Sequence, residues 1–329
     1  MKLKPINHVP DDPTPTPEVA RRGRRRLRTI AVLPTLLTLG NLYFGFAAIY
    51  CCGREMQDIG AGVNPSAVRT LNSVFLETRA PSYLSIGVWL LIGAMICDAL
   101  DGQVARRTGH ASKFGEQMDS LADVVSFGVA PALLMVTMIH REIAQWGHAP
   151  FGLSEFGPVA VFIGLVYVCC AALRLARFNV EASLDDASHQ GFHGLPTPGA
   201  AAAVISVVFL HDHLDLSKNW AWFTNALTTM LPLATLMVAL LMVSRVPYRH
   251  ALSVLLRRRP LGHVILMLLV LPLLWRYTAH MAFAAAWVFV ASGLLRSIWR
   301  RVKGHPLPQP VTTERRQEST PPAIKHQTR

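Results

Sequence analysis

Apolar stretches long enough to cross a bilayer recur along this chain. One helical crossing needs about 20 mostly apolar residues, and residues 30–52 form a run of 23 without a charged side chain. Similar runs follow at intervals, separated by short polar or charged segments. The pattern predicts eight helices, at residues 30–52, 81–103, 120–139, 156–175, 197–211, 221–244, 261–275 and 277–295. The expected fold class is therefore all-α, a multi-pass transmembrane helical bundle.

Composition and charge agree with a membrane protein. Hydrophobic residues make up 51% of the chain and charged residues 16%, with a net charge of +12. A disordered chain would be less hydrophobic, and a soluble nucleic-acid binder would carry a denser set of basic residues. If the N-terminus is cytoplasmic and eight helices alternate, 26 of the 32 Lys and Arg residues lie on the inside, and Arg141 is among the six in outer loops. This asymmetry predicts that both termini are cytoplasmic.

The two ends of the chain differ from its middle. Residues 1–29 combine several prolines with the basic run RRGRRRLR, and the tail 304–329 is rich in Pro, Thr and Gln. Both are expected to lack a packed core. The basic run could bind nucleic acid, but its place before a membrane helix favours anionic lipid headgroups. We therefore expect a membrane domain at 30–245, followed by additional hydrophobic helices at 246–303.

Four aspartates stand at the ends of, or inside, two predicted membrane helices. They are Asp98, Asp101, Asp119 and Asp123, and burying four such groups alone would cost on the order of 10 kcal/mol. The first two are spaced i and i+3 and the last two i and i+4, so each pair lies on one helix face. A short connection between the helices lets the two acidic faces meet. Clustered carboxylate oxygens suit Mg²⁺ or Mn²⁺.

The residues between the aspartates favour a phosphorylated ligand. Gly102 and Ala105 leave room for close approach, and Arg106 could reach a phosphate. Gly115 lies at the start of the next helix, where a helix N-terminus favours anions. Two alternatives stay open: the carboxylates could be solvated helix ends, or they could line the ion or proton pathway of a transporter.

The spacing D-x2-D-G-x2-A-R-x8-G-x3-D-x3-D is met in full between Asp98 and Asp123, and it resembles the CDP-alcohol phosphatidyltransferases. The resemblance implies a six-helix catalytic core in a homodimer, with CDP-diacylglycerol as phosphatidyl donor and CMP as leaving group. It implies that the four aspartates bind Mg²⁺ or Mn²⁺, and that Asp123 is also the base for the attacking hydroxyl. Nucleotide contacts are implied for Gly102, Ala105, Arg106 and Gly115.

Other stretches bear on the acceptor alcohol. MDSLADVVSFGVAPA (118–132), RLARFNVE (174–181) and GFHGLPTPGAAA (191–202) are similar to the serine-using members of this family. So is LPTLLTLGNLYFGFAAI (33–49), in which Thr38 and Asn41 are expected on the nucleotide side. The resemblance implies that L-serine is the acceptor, at the cytoplasmic face of a bacterial inner membrane. Another acceptor, such as glycerol 3-phosphate, remains the alternative within the family.

Two arginines near the cytoplasmic end of the fourth helix could bind substrate. Arg174 and Arg177 lie one turn apart, so one can face the serine carboxylate while the other faces a lipid phosphate. They could instead only set the topology, and Asn179 could only cap the helix. The two predicted helices after residue 260 carry no intramembrane carboxylate, and we expect them to add packing or dimer surface.

Overall fold

Long apolar helices account for every regular element in the part of the chain that the structure describes. The structure is a computed structural model. It describes residues 17–62, 82–108, 113–146, 156–184, 194–215, 221–244, 246 and 278–303. For residues 17–33, 105–108, 113, 146, 181–184, 215, 221, 300 and 301 the description covers the backbone and not the side chain.

Seven helices follow one another along the described residues. They are α1 (Pro17–Gly60), α2 (Tyr83–Thr108), α3, α4 (Phe156–Leu184), α5 (Thr197–Asp215), α6 (Ala221–Val243) and α7 (Thr278–Val302). Helix α3 is continuous but changes its winding: it is α-helical over Lys113–Asp123, π-helical over Val124–Val129 and α-helical again over Ala130–Trp146. The described fold is all-α, as the sequence predicts.

Six of the seven helices are long and apolar enough to cross a membrane. The qualifying stretches are Pro34–Gly60, Tyr83–Val104, Phe114–Gln145, Phe156–Val180, Trp222–Val243 and Thr278–Trp299. Helix α5 is not among them, because its apolar run gives way to polar residues from His211 onwards. The prediction of a multi-pass membrane bundle is confirmed.

Several helix limits differ from the sequence prediction. Helix α3 runs from Lys113 to Trp146 and α4 continues to Leu184, so both are longer than their apolar cores. The backbone of α1 begins at Pro17, inside the segment 1–29 that we expected to lack a packed core. The predicted helix 261–275 lies outside the described residues.

The core is built around α5, whose small and β-branched residues pack on nearly every side. All of residues 203–212 are buried, and α5 contacts α2, α3, α6 and α7. Helix α1 packs along α2 and also contacts α3. Near the start of α5, Gly194 has φ +92°, and a Cβ there would lie 2.5 Å from the carbonyl oxygen of Met242. The Gly194 N–H donates to Val246 O (2.8 Å), which ties this turn to the end of α6.

A buried ionic cluster joins the ends of α1, α3 and α5. Arg141 is 1% exposed, and its Nη1 lies 2.9 Å from Asp212 Oδ1 and 3.5 Å from Glu55 Oε1. Its Nε lies 3.4 Å from Glu142 Oε1. His211 is also fully buried, with Nε2 3.8 Å from Glu142 Oε2. The sequence prediction counted Arg141 among the charges of an outer loop, and the structure places it inside a helix and in the core.

The start of α2 joins the same cluster through hydroxyl groups. The Ser82 hydroxyl donates to Asp212 Oδ2 at 2.7 Å, and the Ser85 hydroxyl donates to the same oxygen. Both serines are buried. We call Glu55, Ser82, Ser85, Arg141, Glu142, His211 and Asp212 the Arg141 cluster.

Candidate active site

Three of the four predicted aspartates converge at the other end of these helices. One carboxylate oxygen from each of Asp98, Asp119 and Asp123 lies within 4.8 Å of the other two. Asp98 belongs to the last part of α2, and the other two belong to the first, α-helical part of α3. Their i, i+4 spacing puts Asp119 and Asp123 on one face of α3, turned towards Asp98. The three groups form the Asp98–Asp119–Asp123 cluster.

Asp101, the fourth predicted ligand, lies beside this cluster and not within it. Its carboxylate accepts a hydrogen bond from the Thr38 hydroxyl of α1, and both groups are buried. Asp101 still interacts electrostatically with Asp119. The structure therefore keeps the four aspartates in one acidic region, while only three bring their oxygens into a common ligand set.

Helix α1 also contacts Asp123. The Asn41 side-chain amide donates from Nδ2 to Asp123 Oδ1 at 3.0 Å, and Asn41 is 0% exposed. In return, the Ser126 hydroxyl donates to the backbone oxygen of Asn41 at 2.9 Å. Thr38 and Asn41, which we expected on the nucleotide side, thus each bond to one of the aspartates.

The π-helical part of α3 begins immediately after Asp123. Its wider winding is seen where the Ala130 N–H donates to Val125 O, five residues earlier. The fully buried Tyr167 of α4 donates its hydroxyl to Phe127 O at 3.0 Å, so one carbonyl of this irregular turn is satisfied from a neighbouring helix. π-helical turns are rare and occur often at functional sites. The sequence prediction did not anticipate this turn.

Arg174, one of the two predicted substrate arginines, lies close enough to Asp123 to interact with it electrostatically. Its Nη1 donates to Thr197 Oγ1 at 3.1 Å, at the first residue of α5. Arg177 lies one turn further along the same helix as Arg174 and is partly buried.

Asn179 pairs with α3 close to the cluster. Its Nδ2 donates to Ser120 Oγ at 2.9 Å, and the Ser120 hydroxyl lies 3.2 Å from Asn179 Oδ1. Ser120 follows Asp119 directly in the sequence. Asn179 therefore joins α4 to the acidic end of α3 by a side-chain pair.

The predicted nucleotide-contact residues lie around the gap between α2 and α3. Gly102 follows Asp101 in α2, and Gly115 lies in the first turn of α3; both are partly buried. Ala105 and Arg106 lie in the last turns of α2, and their side chains are outside the described residues.

The donor set of the cluster fits a hard divalent cation. Three carboxylates this close repel one another unless a positive charge or protons offset them. Asp119 Oδ1 is buried and accepts no hydrogen bond from the described residues. Oxygens on opposite sides of a Mg²⁺ ion, each about 2.1 Å from it, are ~4.2 Å apart. A set of oxygens no more than 4.8 Å apart could reach that arrangement with small side-chain movements.

Comparison with known proteins identifies the family. The family model for CDP-alcohol phosphatidyltransferase matches residues 31–241. The CDP-diacylglycerol–serine O-phosphatidyltransferase of Helicobacter pylori strain J99 is 36% identical over 148 residues, 44% of this chain and 56% of the relative. That of Mycobacterium leprae is 38% identical over 173 residues, 50% of each chain. The archaetidylserine synthase of Methanothermobacter thermautotrophicus is 33% identical over 195 residues, 59% of this chain and 64% of the relative.

The chain thus spans about half to two thirds of the length of these curated relatives. The matched region contains α2 to α5 complete, together with the Asp98–Asp119–Asp123 cluster and its contacts from α1. Because the family model covers well over half of its residues, the chain belongs to the CDP-alcohol phosphatidyltransferase family.

Proposed function

We propose that the protein transfers the phosphatidyl group of CDP-diacylglycerol to L-serine, giving phosphatidylserine and CMP. It would then be a CDP-diacylglycerol–serine O-phosphatidyltransferase, the name carried by relatives that are 36% and 38% identical to it. The observation that carries the proposal is the convergence of Asp98, Asp119 and Asp123 at the ends of two membrane helices. A helix pair would not bury these charges without a cationic ligand or partner.

In the proposed reaction, the serine hydroxyl oxygen attacks the phosphorus of the diacylglycerol-bearing phosphate. The bond from that phosphorus to the oxygen of the CMP phosphate breaks, and CMP leaves. The hydroxyl proton passes to Asp123, which must lie within hydrogen-bond reach of the hydroxyl. Catalysis of this kind rests on positioning and on neutralisation of charge.

The cation proposed for this site is Mg²⁺ or Mn²⁺, held by Asp98, Asp119 and Asp123, with Asp101 as a fourth candidate. When bound, it would polarise the pyrophosphate and offset the negative charge of the departing CMP. Gly102, Ala105, Arg106 and Gly115 are proposed to contact the nucleotide.

Arg174 is proposed to bind the serine carboxylate. It is attracted to Asp123 and bonded to Thr197, so its guanidinium lies within electrostatic range of the proposed base. A guanidinium binds a carboxylate through two parallel N–H donors, which would orient the serine hydroxyl towards Asp123. Arg177 is proposed to serve the lipid phosphate.

We further propose that the enzyme works as a homodimer at the cytoplasmic face of a bacterial inner membrane, with both termini cytoplasmic. The charge asymmetry of the loops supports this orientation. We retain the division into a basic segment 1–29, a catalytic membrane domain 30–245, hydrophobic helices 246–303 and a tail 304–329.

The direct test incubates membranes containing the protein with CDP-diacylglycerol, Mn²⁺ or Mg²⁺, and each radiolabelled acceptor in turn. We expect labelled phospholipid and CMP release with serine. Product from glycerol 3-phosphate alone would assign a different acceptor within the family. Absence of CMP release with every acceptor would contradict a transferase and favour a transporter with an acidic pocket.

The role of Asp123 has its own test. Asp123→Asn is expected to lower the transfer rate by about 100-fold or more, because the amide cannot accept the proton. Asp58→Asn, a carboxylate outside the cluster at the far end of α1, is the matched control and should leave the rate unchanged. Full activity in Asp123→Asn would rule out the proposed base.

A further inference from the structure

Asn41 contacts α3 at two points, one on each side of the start of the π-helical turn. Its side chain donates to Asp123, and its backbone oxygen accepts from Ser126. We propose that Asn41 is a positioning residue, whose amide sets the orientation of the Asp123 carboxylate for binding of the divalent cation. This inference rests on the proposed function, because it assigns the cluster a cation.

The two bonds together restrict Asp123 more than either could alone. A single hydrogen bond between two helices leaves the helices free to rotate and slide. Here the second bond is made three residues further along α3, from Ser126 Oγ to the main chain of the same asparagine. The segment from Asp123 to Ser126 is thereby held against one point of α1.

The close approach of the helices needs a glycine one turn further along α1. A Cβ on Gly45 would lie 2.2 Å from Ser126 Oγ and 2.8 Å from its Cα. Since no side chain fits there, the sequence of α1 allows Ser126 to lie directly against the helix backbone. This contact involves the same Ser126 side chain that donates to Asn41, and it holds the same pair of segments together.

Burial favours this positioning role over the direct nucleotide contact that the resemblance implied. Asn41 is 0% exposed, so it presents no surface to a ligand in the described arrangement. Its Nδ2 is already used by Asp123. Asn41 Oδ1 is buried and accepts no hydrogen bond from the described residues, and because Asn41 is fully buried, a nucleotide could reach this oxygen only after a change in the packing around it.

A neutral amide is well suited to orienting a carboxylate that binds a cation. A neutral N–H donor orients a carboxylate without adding a positive charge, so the carboxylate keeps a net negative charge that can attract a cation. A Lys or Arg in this position would form an ion pair with Asp123 and compete with the cation for it. Residues that orient ligand side chains in this way typically change metal affinity by about 10–100-fold when they are removed.

The test measures Mn²⁺ binding by electron paramagnetic resonance on the full chain in lipid nanodiscs, without nucleotide or serine. Asn41→Leu keeps the approximate volume and removes the donor, and Asn41→Ala removes both. We expect each to weaken Mn²⁺ binding by about 10–100-fold. Ser126→Ala should weaken it less, because the amide bond to Asp123 remains. Asn225→Ala, an exposed asparagine on α6, is the matched control and should bind as the wild type does.

Unchanged Mn²⁺ affinity in a folded Asn41→Leu protein overturns the inference. The same holds if affinity is unchanged while the KM for CDP-diacylglycerol rises, since that would make Asn41 a nucleotide contact. Should both Asn41 variants fail to fold, Ser126→Ala decides: weaker binding supports the inference and unchanged binding overturns it. A wild-type protein that binds Mn²⁺ but releases no CMP would contradict the proposed function alone.

Discussion

The Arg141 cluster allows a quantitative prediction about charge in the core. It contains one guanidinium and the three carboxylates of Glu55, Glu142 and Asp212, so replacing Arg141 by Met leaves three buried acidic groups without their common partner. Breaking a buried ion pair by removing one partner costs about 3–5 kcal/mol. Because Arg141 serves three carboxylates, we expect Arg141→Met to lie at the upper end of that range.

Removing a carboxylate from the Arg141 cluster should lower the free energy of unfolding less than removing the arginine does. Asp212→Asn removes one negative charge from an acidic cluster. The remaining side-chain oxygen can still accept from Arg141 Nη1, while the NH₂ group can donate to the Ser82 and Ser85 hydroxyl oxygens, which now donate to Asp212. The loss is then mainly the difference between a charge-assisted and a neutral hydrogen bond, about 1–2 kcal/mol. The predicted order, in which loss of the one cation costs much more than loss of one anion, follows from the charges alone.

The assay is equilibrium unfolding in mixed detergent micelles, followed by circular dichroism. Arg54→Met is the matched control. Arg54 lies next to Glu55 in sequence but contacts Gln57 and the Tyr83 ring at the surface, so its loss should shift the unfolding midpoint far less than Arg141→Met does. Equal destabilisation by Arg141→Met and Asp212→Asn, or a larger loss from the second, would refute the charge argument. The folded fraction of each variant should keep its Mn²⁺ affinity, because Arg141 and Asp123 are about 18 residues, or ~27 Å, apart along α3.

Three further predictions concern the glycines and the cation. Gly45→Ala should lower the free energy of unfolding by about 1–3 kcal/mol and weaken Mn²⁺ binding, because the added Cβ would meet Ser126. Its control is Gly53→Ala, where nothing lies within 4 Å of the added Cβ. That substitution should raise the free energy of unfolding by about 0.5–1 kcal/mol. Gly194→Ala should cost about 1–3 kcal/mol, measured by the same unfolding assay, because φ +92° and the Met242 carbonyl both oppose a side chain. Chelation with EDTA should abolish CMP release, and Mn²⁺ should restore it; activity that survives chelation would contradict a cation-dependent transferase.

The aspartates could be found from the sequence because their signal is local. Each pair has helical spacing, and a carboxylate in a membrane helix needs a partner wherever the helix packs. What spacing could not give is how each carboxylate is held. Thr38 and Asn41 lie about 60 and 80 residues before their partners, Asp101 and Asp123, and only the packing of α1 brings them together.

The sequence indicates the π-helical turn and the Arg141 cluster less clearly than it indicates the aspartates. The turn occupies VVSFGV, whose residues would also fit an α-helix, so its wider winding depends on contacts such as those of Ser126 and Tyr167. Arg141 follows an apolar run that ends at Ile139, which made it look like a loop charge. A charge at the end of an apolar run, followed by Glu142 and matched by the HDH segment 211–213, was the available signal for a buried network.

Helix α3 carries acidic groups at both ends, and the carboxylates have different kinds of partner at each end. At one end, Glu142 and its neighbours are paired with Arg141, an internal cation that is always present. At the other, Asp119 keeps an oxygen without a hydrogen bond from the described residues, and Asp123 receives a neutral amide from Asn41. Arg141 is an internal cation that pairs with its carboxylates directly, whereas the donors that α1 contributes to the aspartates are neutral. Arg174 also attracts Asp123, but its Nη1 donates to Thr197. Asn41 and Thr38 on α1 thus bond to the aspartates without adding a positive charge, which suits the divalent-cation site that we propose.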